Sequence, residues 1–223
     1  MNEGVTIDSV KSPGVLTTVF THFWFKMFAT MGFTLIFFVG YLYLLKRPAA
    51  HVSIIPTTWL DGVVSFQPFA LPIYLSLWFY VSLPPALMLT RSEIVAYGIR
   101  IAALCLFGLA VFYVWPNAIA PANISWEKYP SVAFLKAIDT AGNAFPSLHV
   151  ATAVFSALWL YWRIGRLRLG LGIQLANTLW CVAIVYSTLA IKQHVALDVL
   201  AGAVLALMAA WATGLKGHAS RKH

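Results

Sequence analysis

Two histidines and one aspartate are the residues of this chain best suited to chemistry. His194 and Asp198 stand four residues apart, a spacing that places both side chains on one face of a helix within hydrogen-bonding reach. A carboxylate bound to one ring nitrogen orients an imidazole and raises its basicity. His149 follows a Pro-Ser-Leu sequence that is typical of a helix start. Imidazoles placed in this way serve as nucleophiles or as general acids and bases.

The predicted helix start before His149 has the properties of an anion site. Pro146 suits the first turn because it lacks the amide hydrogen that would go unpaired there, and Ser147 adds a hydroxyl group. The free amides of that turn and the positive end of the helix dipole attract negative charge, so a phosphate fits beside His149. Asn143, three residues before the proline, is predicted to cap the helix or to contact a substrate.

The elements that carry these residues are predicted to be membrane helices. Hydrophobic residues make up 61% of the chain and charged residues 10%, and the mean hydropathy is +0.80, which is too apolar for a soluble domain of 223 residues. Apolar runs of about 20 residues cross a bilayer as helices, because their backbone polar groups must be paired within the segment. Six such runs are present: residues 27–45, 68–89, 94–115, 148–162, 169–191 and 195–215.

The predicted fold is therefore all-α: a polytopic membrane protein with six transmembrane helices in one bundle. Residues 1–223 form a single domain, in which residues 1–19 are expected to be a surface or disordered segment. Prolines at positions 72, 84 and 85 predict kinks in the second helix.

The basic residues predict the orientation of the bundle. If the amino terminus is cytoplasmic, ten of the 15 Lys and Arg residues face the cytoplasm and five face the other side. Both termini are then cytoplasmic, and His149 and His194, each at the start of a span, share the outer face. This topology accounts for the net charge of +8, so no nucleic-acid partner is expected. The prediction is an integral protein of the plasma (inner) membrane with its site on the non-cytoplasmic face.

These residues resemble the motifs of the type 2 phosphatidic acid phosphatase superfamily. Its Pro-Ser-Gly-His motif is similar to residues 146–149, and its Ser-Arg motif, followed by His and Asp, is similar to Ser187-Thr188 with His194 and Asp198. The resemblance implies a six-helix membrane enzyme that cleaves lipid phosphates without a metal or another cofactor. It assigns His194 as the nucleophile that becomes a phosphohistidine, Asp198 as its orienting partner and His149 as the acid for the leaving group.

Three positions depart from the motifs of that superfamily. Leu148 replaces the motif glycine, Thr188 replaces the motif arginine, and Gly40 occupies the position of a lysine that should precede Arg47-Pro48 by seven residues. Neutralisation of a phosphate is then predicted to fall to Lys192 and Arg47. Two long loops are predicted on the outer face, the first at residues 46–67 and the second at residues 116–145. Lys128 and Lys136 are further candidates if this second outer loop folds over the site.

Several alternatives remain open from the sequence. The leucine at position 148 is similar to the inositol-phosphorylceramide-synthase-like branch, whose members transfer a phosphorylated head group to another lipid, so transfer to an acceptor hydroxyl competes with hydrolysis. Zinc binding by the two histidines and Asp198 is a rival chemistry, although no His-Glu-x-x-His pair supports it. A proton-coupled transporter is the third alternative, but the ionisable groups cluster at one face and no inverted repeat is visible. Asp61 and Asp139 are expected to be solvated loop residues.

Overall fold

Long helices make up most of the structure, a computed structural model that describes residues 14–47, 51–139 and 142–214. The helices of this part of the chain are α1 (Val15–Phe20), α2 (Phe23–Lys46), α3 (Trp59–Val63), α4 (Leu71–Leu75), α5 (Leu77–Tyr80), α6 (Leu83–Ala86), α7 (Arg91–Val114), α8 (Pro130–Ile138), α9 (Leu148–Arg166), α10 (Leu171–Ala190) and α11 (Ala196–Ala212). The strands are β1 (Ser53–Ile55) and β2 (Asn117–Ile119), and single 3-10 turns occur at Pro68–Ala70 and Trp126–Lys128.

The predicted membrane spans are found in part. Helices α2, α7 and α10 are long and apolar enough to cross a bilayer, whereas α9 is a 19-residue helix with basic residues in its last turn and α11 has 17 residues. The second predicted span, residues 68–89, is not one helix but the 3-10 turn at Pro68–Ala70 followed by α4, α5 and α6. Pro72 and Pro84 lie in the first turns of α4 and α6, where a missing amide hydrogen is tolerated.

Helix α9 is the central element of the bundle, with α10 and α11 packed along it and α7 against one side. Its Ala151, Ala153 and Phe155 are fully buried, and Trp159 packs with Tyr97 of α7. Small side chains on α9 allow the neighbouring helices to approach closely, which is how membrane helices gain packing energy without a hydrophobic driving force. His149 is therefore carried by a helix that packs against α7, α10 and α11.

Buried cations hold the broken span at the end of the bundle remote from the histidines. Arg163 of α9 donates to the carbonyl oxygen of Leu87 at 2.6 and 2.9 Å and forms an ion pair with Glu93 at 3.1 Å. Lys26 of α2 donates to the carbonyl oxygen of Ala86 at 2.8 Å. These bonds satisfy carbonyl groups at the end of α6 that have no helical partner.

The outer loops contain a short sheet that the all-α prediction did not include. Strands β1 and β2 pair in parallel, with Ser53 opposite Asn117 and Ile55 opposite Ile119, and an isolated bridge joins Ala118 to Gly142. Apolar residues of both strands, Ile55 and Ile119, are buried against the start of α11. The two long loops therefore form one connected layer over the end of the bundle where α9 and α11 begin.

The predicted amino-terminal segment lies mostly outside the described residues. Residues 1–13 are not described, and α1 follows within the segment that was expected to lie on the surface or to be disordered.

Candidate active site

His149 and His194 line a single cavity at the end of the bundle that carries the outer loops. His149 is the second residue of α9, and His194 lies in the turn between α10 and α11. Asn143 also lines this cavity, which has a volume of about 270 Å³. The structure thus brings together three of the residues that the sequence singled out.

The end of α10 determines where His194 lies. The chain turns through Lys192, which has a left-handed φ of 55°, and the backbone N–H groups of Gln193 and His194 both donate to the carbonyl oxygen of Thr188, at 3.1 and 3.2 Å. Such a turn closes the helix by satisfying a carbonyl that has lost its helical donor. His194 is delivered to the cavity by this turn rather than by the helix that follows.

Asp198 fixes the ring of His194. Its Oδ2 lies 2.8 Å from Nδ1 of His194, and its Oδ1 accepts the backbone N–H groups of Val195 at 2.8 Å and Val199 at 3.0 Å. The carboxylate is completely buried. An ionised carboxylate only accepts hydrogen bonds, so this contact uses a proton on Nδ1, and a neutral imidazole ring then has its lone pair on Nε2.

His149 is held by stacking. Its ring lies 3.9 Å from the ring of Tyr74, with an angle of 14° between the planes, and Trp78 contacts it edge-on at 6.4 Å. Nε2 of His149 is buried and has no hydrogen-bond partner among the described residues. A buried ring nitrogen without a partner is uncommon, and His149 is a residue that lines the cavity, so its imidazole is a candidate for proton transfer to a bound molecule.

Two backbone contacts hold the starts of α9 and α11 together. The N–H of Ser147 donates to the carbonyl oxygen of Asp198 at 3.0 Å. A Cβ atom added to Gly202 would lie 2.3 Å from the carbonyl oxygen of Ser147, so α9 lies against α11 at a distance that only glycine permits. We expect the relative position of His149 and His194 in the cavity to depend on this close approach of α9 and α11.

The start of α9 differs from the sequence prediction. The helix begins at Leu148 with Ser147 as its N-cap, and the Ser147 hydroxyl accepts the N–H of Val150 at 3.2 Å. Pro146 therefore precedes the helix instead of occupying its first turn. Ser147 is completely buried, and its hydroxyl serves the helix rather than the cavity.

The predicted phosphate-binding cations are bound elsewhere. The Lys192 ammonium donates to the carbonyl oxygens of Asp61, at 3.0 Å, and Val64, and the Arg47 guanidinium lies 4.3 Å from the centre of the Tyr113 ring. Lysine and arginine do not line the cavity in the described part of the chain. The site therefore has fewer positive charges than the sequence suggested.

Lys136 binds the turn that bears His194. The second outer loop does fold over the site, and the Lys136 ammonium donates to the carbonyl oxygen of Lys192 at 2.9 Å and to Oε1 of Gln193 at 3.0 Å. Burial lowers the pKa of Lys136 to about 8. Lys128 ends an exposed 3-10 turn.

Asp61 and Asp139, expected to be solvated, are both structural or site residues. Oδ1 of Asp61 accepts the N–H of Ala196 at 2.7 Å and so caps the start of α11. Asp139 lines the cavity, and its Oδ1 accepts the Tyr41 hydroxyl at 2.6 Å while Oδ2 accepts the Tyr74 hydroxyl at 3.5 Å. Burial raises the pKa of the Asp139 carboxyl, and these two hydroxyl groups act in the opposite direction.

Asn117 is a further residue that the sequence did not single out. Its Oδ1 accepts the N–H groups of Ala144, at 2.9 Å, and Phe145, at 2.7 Å, and its Nδ2 donates to the carbonyl oxygen of Phe145 at 2.9 Å. The backbone N–H of Asn143 donates to the Asn117 carbonyl at 2.9 Å. Strand β2 thereby sets the path of the segment that enters α9 at the site.

A family model of the PAP2 superfamily matches residues 14–220, nearly the whole chain. The chain belongs to the PAP2 superfamily. Its members are phosphatases or phosphotransferases that act on phosphorylated substrates. No curated protein and no solved structure matches this PAP2 chain.

Two of the three departures from the PAP2 motifs have local explanations. A Cβ on Gly108 of α7 would lie 2.4 Å from Cδ2 of Leu148, so the glycine missing from the motif has a counterpart across the helix pair, which makes room for the leucine. Thr188 is fully buried, and its hydroxyl donates to the carbonyl oxygen of Val185 at 2.7 Å. In this PAP2 protein the position of the motif arginine therefore closes a helix, and it contributes no charge.

Metal binding receives no geometric support in the part of the chain that the structure describes. There, three or more His, Cys, Asp or Glu side chains are not grouped in a way that would hold a metal ion.

Proposed function

We propose that this PAP2 protein cleaves a phosphate ester of a membrane lipid through a phosphohistidine on Nε2 of His194. The observation that carries the proposal is that Nδ1 of His194 is held by Asp198 at 2.8 Å, while His149 lines the same cavity and its Nε2 has no hydrogen-bond partner among the described residues. A fixed nucleophile and a separate proton carrier are the two groups that covalent phosphoryl transfer requires.

The reaction has two steps. In the first, Nε2 of His194 attacks phosphorus, the bond from phosphorus to the lipid oxygen breaks, and a proton on His149 passes to the departing oxygen. In the second, His149 takes a proton from water, the oxygen attacks phosphorus and the nitrogen–phosphorus bond breaks. Asp198 stabilises the positive charge that His194 carries while its nitrogen is phosphorylated.

The first-turn amides of α9 are the proposed source of charge stabilisation for the phosphoryl oxygens. They are backbone donors at the positive end of a 19-residue helix whose second residue is His149. Asn143, which lines the cavity, is proposed as a side-chain contact to the substrate. The other residues proposed from the sequence bind protein groups. The Ser147 hydroxyl accepts the backbone N–H of Val150, and the Lys192 ammonium donates to the backbone carbonyl of Asp61. The Arg47 guanidinium stacks on the Tyr113 ring.

The phosphohistidine can be tested by trapping. Full-length protein turning over a ³²P-labelled lipid phosphate is quenched in alkali, digested and mapped. We expect acid-labile, alkali-stable label on the peptide that contains His194. Label on no peptide, with turnover proceeding at the normal rate, would contradict a covalent intermediate.

An apolar extension of the cavity supports a lipid as the substrate. From Tyr41 the cavity follows α2 down to Ala29, a distance of about 18 Å at 1.5 Å per residue, and it is lined by Phe33 and Phe37 on one side and Ile101 on the other. Half the thickness of a bilayer core of about 30 Å is about 15 Å. The extension therefore matches the reach of one acyl chain whose phosphate lies at the histidines.

Filling this extension should discriminate between long and short lipids. Gly98 lines the cavity and has open space where a Cβ would be. We expect Gly98→Leu to lower kcat/KM for a substrate with 16-carbon chains by about 10-fold or more, because a branched side chain occupies the position of the chain terminus. Turnover of a six-carbon analogue should change by less than about twofold.

Gly32 provides the matched control for Gly98. It lies in α2, also with open space at its Cβ position, but it does not line the cavity. Gly32→Leu should affect both substrates equally. If Gly98→Leu also affects both substrates equally, the acyl chain does not lie in this extension.

We further propose that the site faces the non-cytoplasmic side of the plasma membrane. The end of the bundle remote from the histidines carries Arg91, Arg163, Arg166 and Arg168, in agreement with the excess of basic residues on cytoplasmic loops.

Cysteine labelling tests the orientation. Both native cysteines, Cys105 and Cys181, are buried. A membrane-impermeant maleimide applied to intact cells should label Thr57→Cys in the first outer loop. Ser92→Cys, exposed at the start of α7, should react only after the membrane is opened. The reverse pattern would place the site in the cytoplasm.

A further inference from the structure

The charges around the cavity are unusual for a site that receives a phosphate. In the described part of the chain, the cavity is lined by one carboxylate, Asp139, and by the imidazoles of His149 and His194, and by no lysine or arginine. Asp198 adds a second carboxylate directly behind His194. A phosphate monoester bears about two negative charges, and sites that transfer phosphoryl groups ordinarily neutralise them with cations. These surroundings favour a substrate with less charge.

Asp139 lines the cavity and is connected to residues that hold the two histidines. Tyr74, which donates to its Oδ2, is the residue on which the ring of His149 stacks. The carbonyl oxygen of Asp139 accepts a bond at 3.3 Å from the side chain of Gln193, the neighbour of His194. Asp139 therefore contacts the His194 segment directly through Gln193 and is connected to His149 through Tyr74.

The Asp139 carboxylate retains capacity for another donor. Each carboxylate oxygen accepts two hydrogen bonds, whereas Oδ1 receives one at 2.6 Å from Tyr41 and Oδ2 one long bond at 3.5 Å from Tyr74. A carboxylate exposed to a cavity with unused lone pairs attracts a hydroxyl or another donor from a bound molecule. His149, whose Nε2 has no hydrogen-bond partner among the described residues, lines the same cavity.

We propose that Asp139 selects the phosphate donor: its carboxylate disfavours dianionic phosphate monoesters and accepts a hydrogen bond from the head group of a monoanionic phosphodiester lipid. The inference rests on the proposed phosphohistidine chemistry and names its substrate class. His194 attacks the phosphodiester, the bond from phosphorus to the lipid backbone oxygen breaks, and that oxygen takes a proton from His149. The head group remains on the phosphorylated histidine until an acceptor hydroxyl or water gives its proton to His149 and displaces the nitrogen.

The expected size of this selection follows from Coulomb's law. At an effective dielectric constant of about 20, one additional negative charge about 6–8 Å from a carboxylate changes affinity by on the order of 10- to 100-fold. The head-group hydrogen bond adds a smaller preference, about 10-fold.

The experiment compares three lipids with identical acyl chains in full-length protein. Phosphatidate is a dianionic monoester, phosphatidylmethanol is a monoanionic diester without a head-group donor, and phosphatidylglycerol is a monoanionic diester with hydroxyl donors. Formation of diacylglycerol is the common readout. The expected order of kcat/KM is phosphatidylglycerol, then phosphatidylmethanol, then phosphatidate, with at least about 10-fold between the last two.

Asp139→Asn removes the charge and should shift the ratio of phosphatidylmethanol to phosphatidate turnover by about 10-fold or more toward phosphatidate. Glu127→Gln is the matched control, because it removes an exposed carboxylate from the same loop, and it should leave the ratio unchanged. Tyr41→Phe keeps the charge of Asp139 and should keep the preference for diesters. This second variant preserves the test if Asp139→Asn fails to fold.

The outcomes separate the two proposals. If His194 is labelled, and wild-type protein prefers phosphatidate or Asp139→Asn leaves the ratio within about threefold, the selection by Asp139 is overturned while the phosphohistidine stands. If no lipid labels His194, the proposed function itself fails.

Discussion

Replacement of His194 by asparagine is expected to lower the rate of lipid phosphate cleavage by about 10⁴-fold or more. Asparagine keeps a donor near Asp198 but cannot form the nitrogen–phosphorus bond, so the loss isolates covalent catalysis from the structural role of the side chain. The measurement is single-turnover release of diacylglycerol by purified protein, with folding checked by thermal unfolding.

A histidine outside the site provides the comparison. His51 is exposed in the first outer loop, and His51→Asn should retain the wild-type rate. Release by His194→Asn within about 10-fold of wild type would remove His194 from the role of nucleophile. The family membership would then remain, but the mechanism would need another acceptor of the phosphoryl group.

Gly202→Ala is expected to abolish most activity although the substitution adds only a methyl group. The new Cβ would lie 2.3 Å from the Ser147 carbonyl oxygen, and because that atom belongs to the backbone, α9 and α11 must separate. We expect a loss of about 1–3 kcal/mol in the free energy of unfolding and at least about 100-fold in kcat, since a misplacement near 1 Å costs about that much. Thermal unfolding and kcat with a lipid phosphate measure the two effects.

A glycine in open space isolates the steric effect. A Cβ on Gly172 of α10 would contact nothing within 4 Å, so Gly172→Ala should be neutral or stabilising by up to about 1 kcal/mol, as helix propensity alone dictates. Near-normal kcat in Gly202→Ala would show that the two helix starts tolerate separation and that the histidines do not depend on this contact.

The parts of the site that the sequence predicted are those set by local rules. The spacing of four residues between His194 and Asp198 implied a shared helical face, and the structure has their side chains 2.8 Å apart. A helix start just before His149 was also predicted, although the helix begins at Leu148, two residues after the Pro146 that was expected in its first turn. Apolar runs likewise predicted the long helices, because hydropathy and length are sufficient to identify a span.

The parts that were missed depend on contacts between distant residues. Tyr41 and Asp139 are 98 positions apart, and neither belongs to a motif, so no local pattern links them. Lys192 was placed at the phosphate because it neighbours His194, but its ammonium is bound by carbonyl oxygens more than 100 residues away, at Asp61 and Val64. Its position in the chain places the Lys192 backbone beside His194, but its side chain extends to the first outer loop and not to the cavity.

The second span shows a different limit. A hydropathy profile shows one continuous apolar run over residues 68–89. In the structure this proline-containing segment is divided into a 3-10 turn and three short helices. The carbonyl groups at the end of α6 are satisfied by Arg163 and Lys26, which hydropathy and charge counts assigned only to the topology. These contacts join distant residues, so no local pattern predicts them.

The cap that Asp61 places on Ala196 also bears on the order in which the protein is made. Asp61 belongs to the first outer loop, yet the N–H that it accepts belongs to the start of α11, 135 residues later in the chain. Lys192 returns a bond to the same loop. A chain synthesised only as far as α10 therefore lacks the donor to Asp61. The contact between the first outer loop and the segment that follows His194 is completed only when α11 has formed.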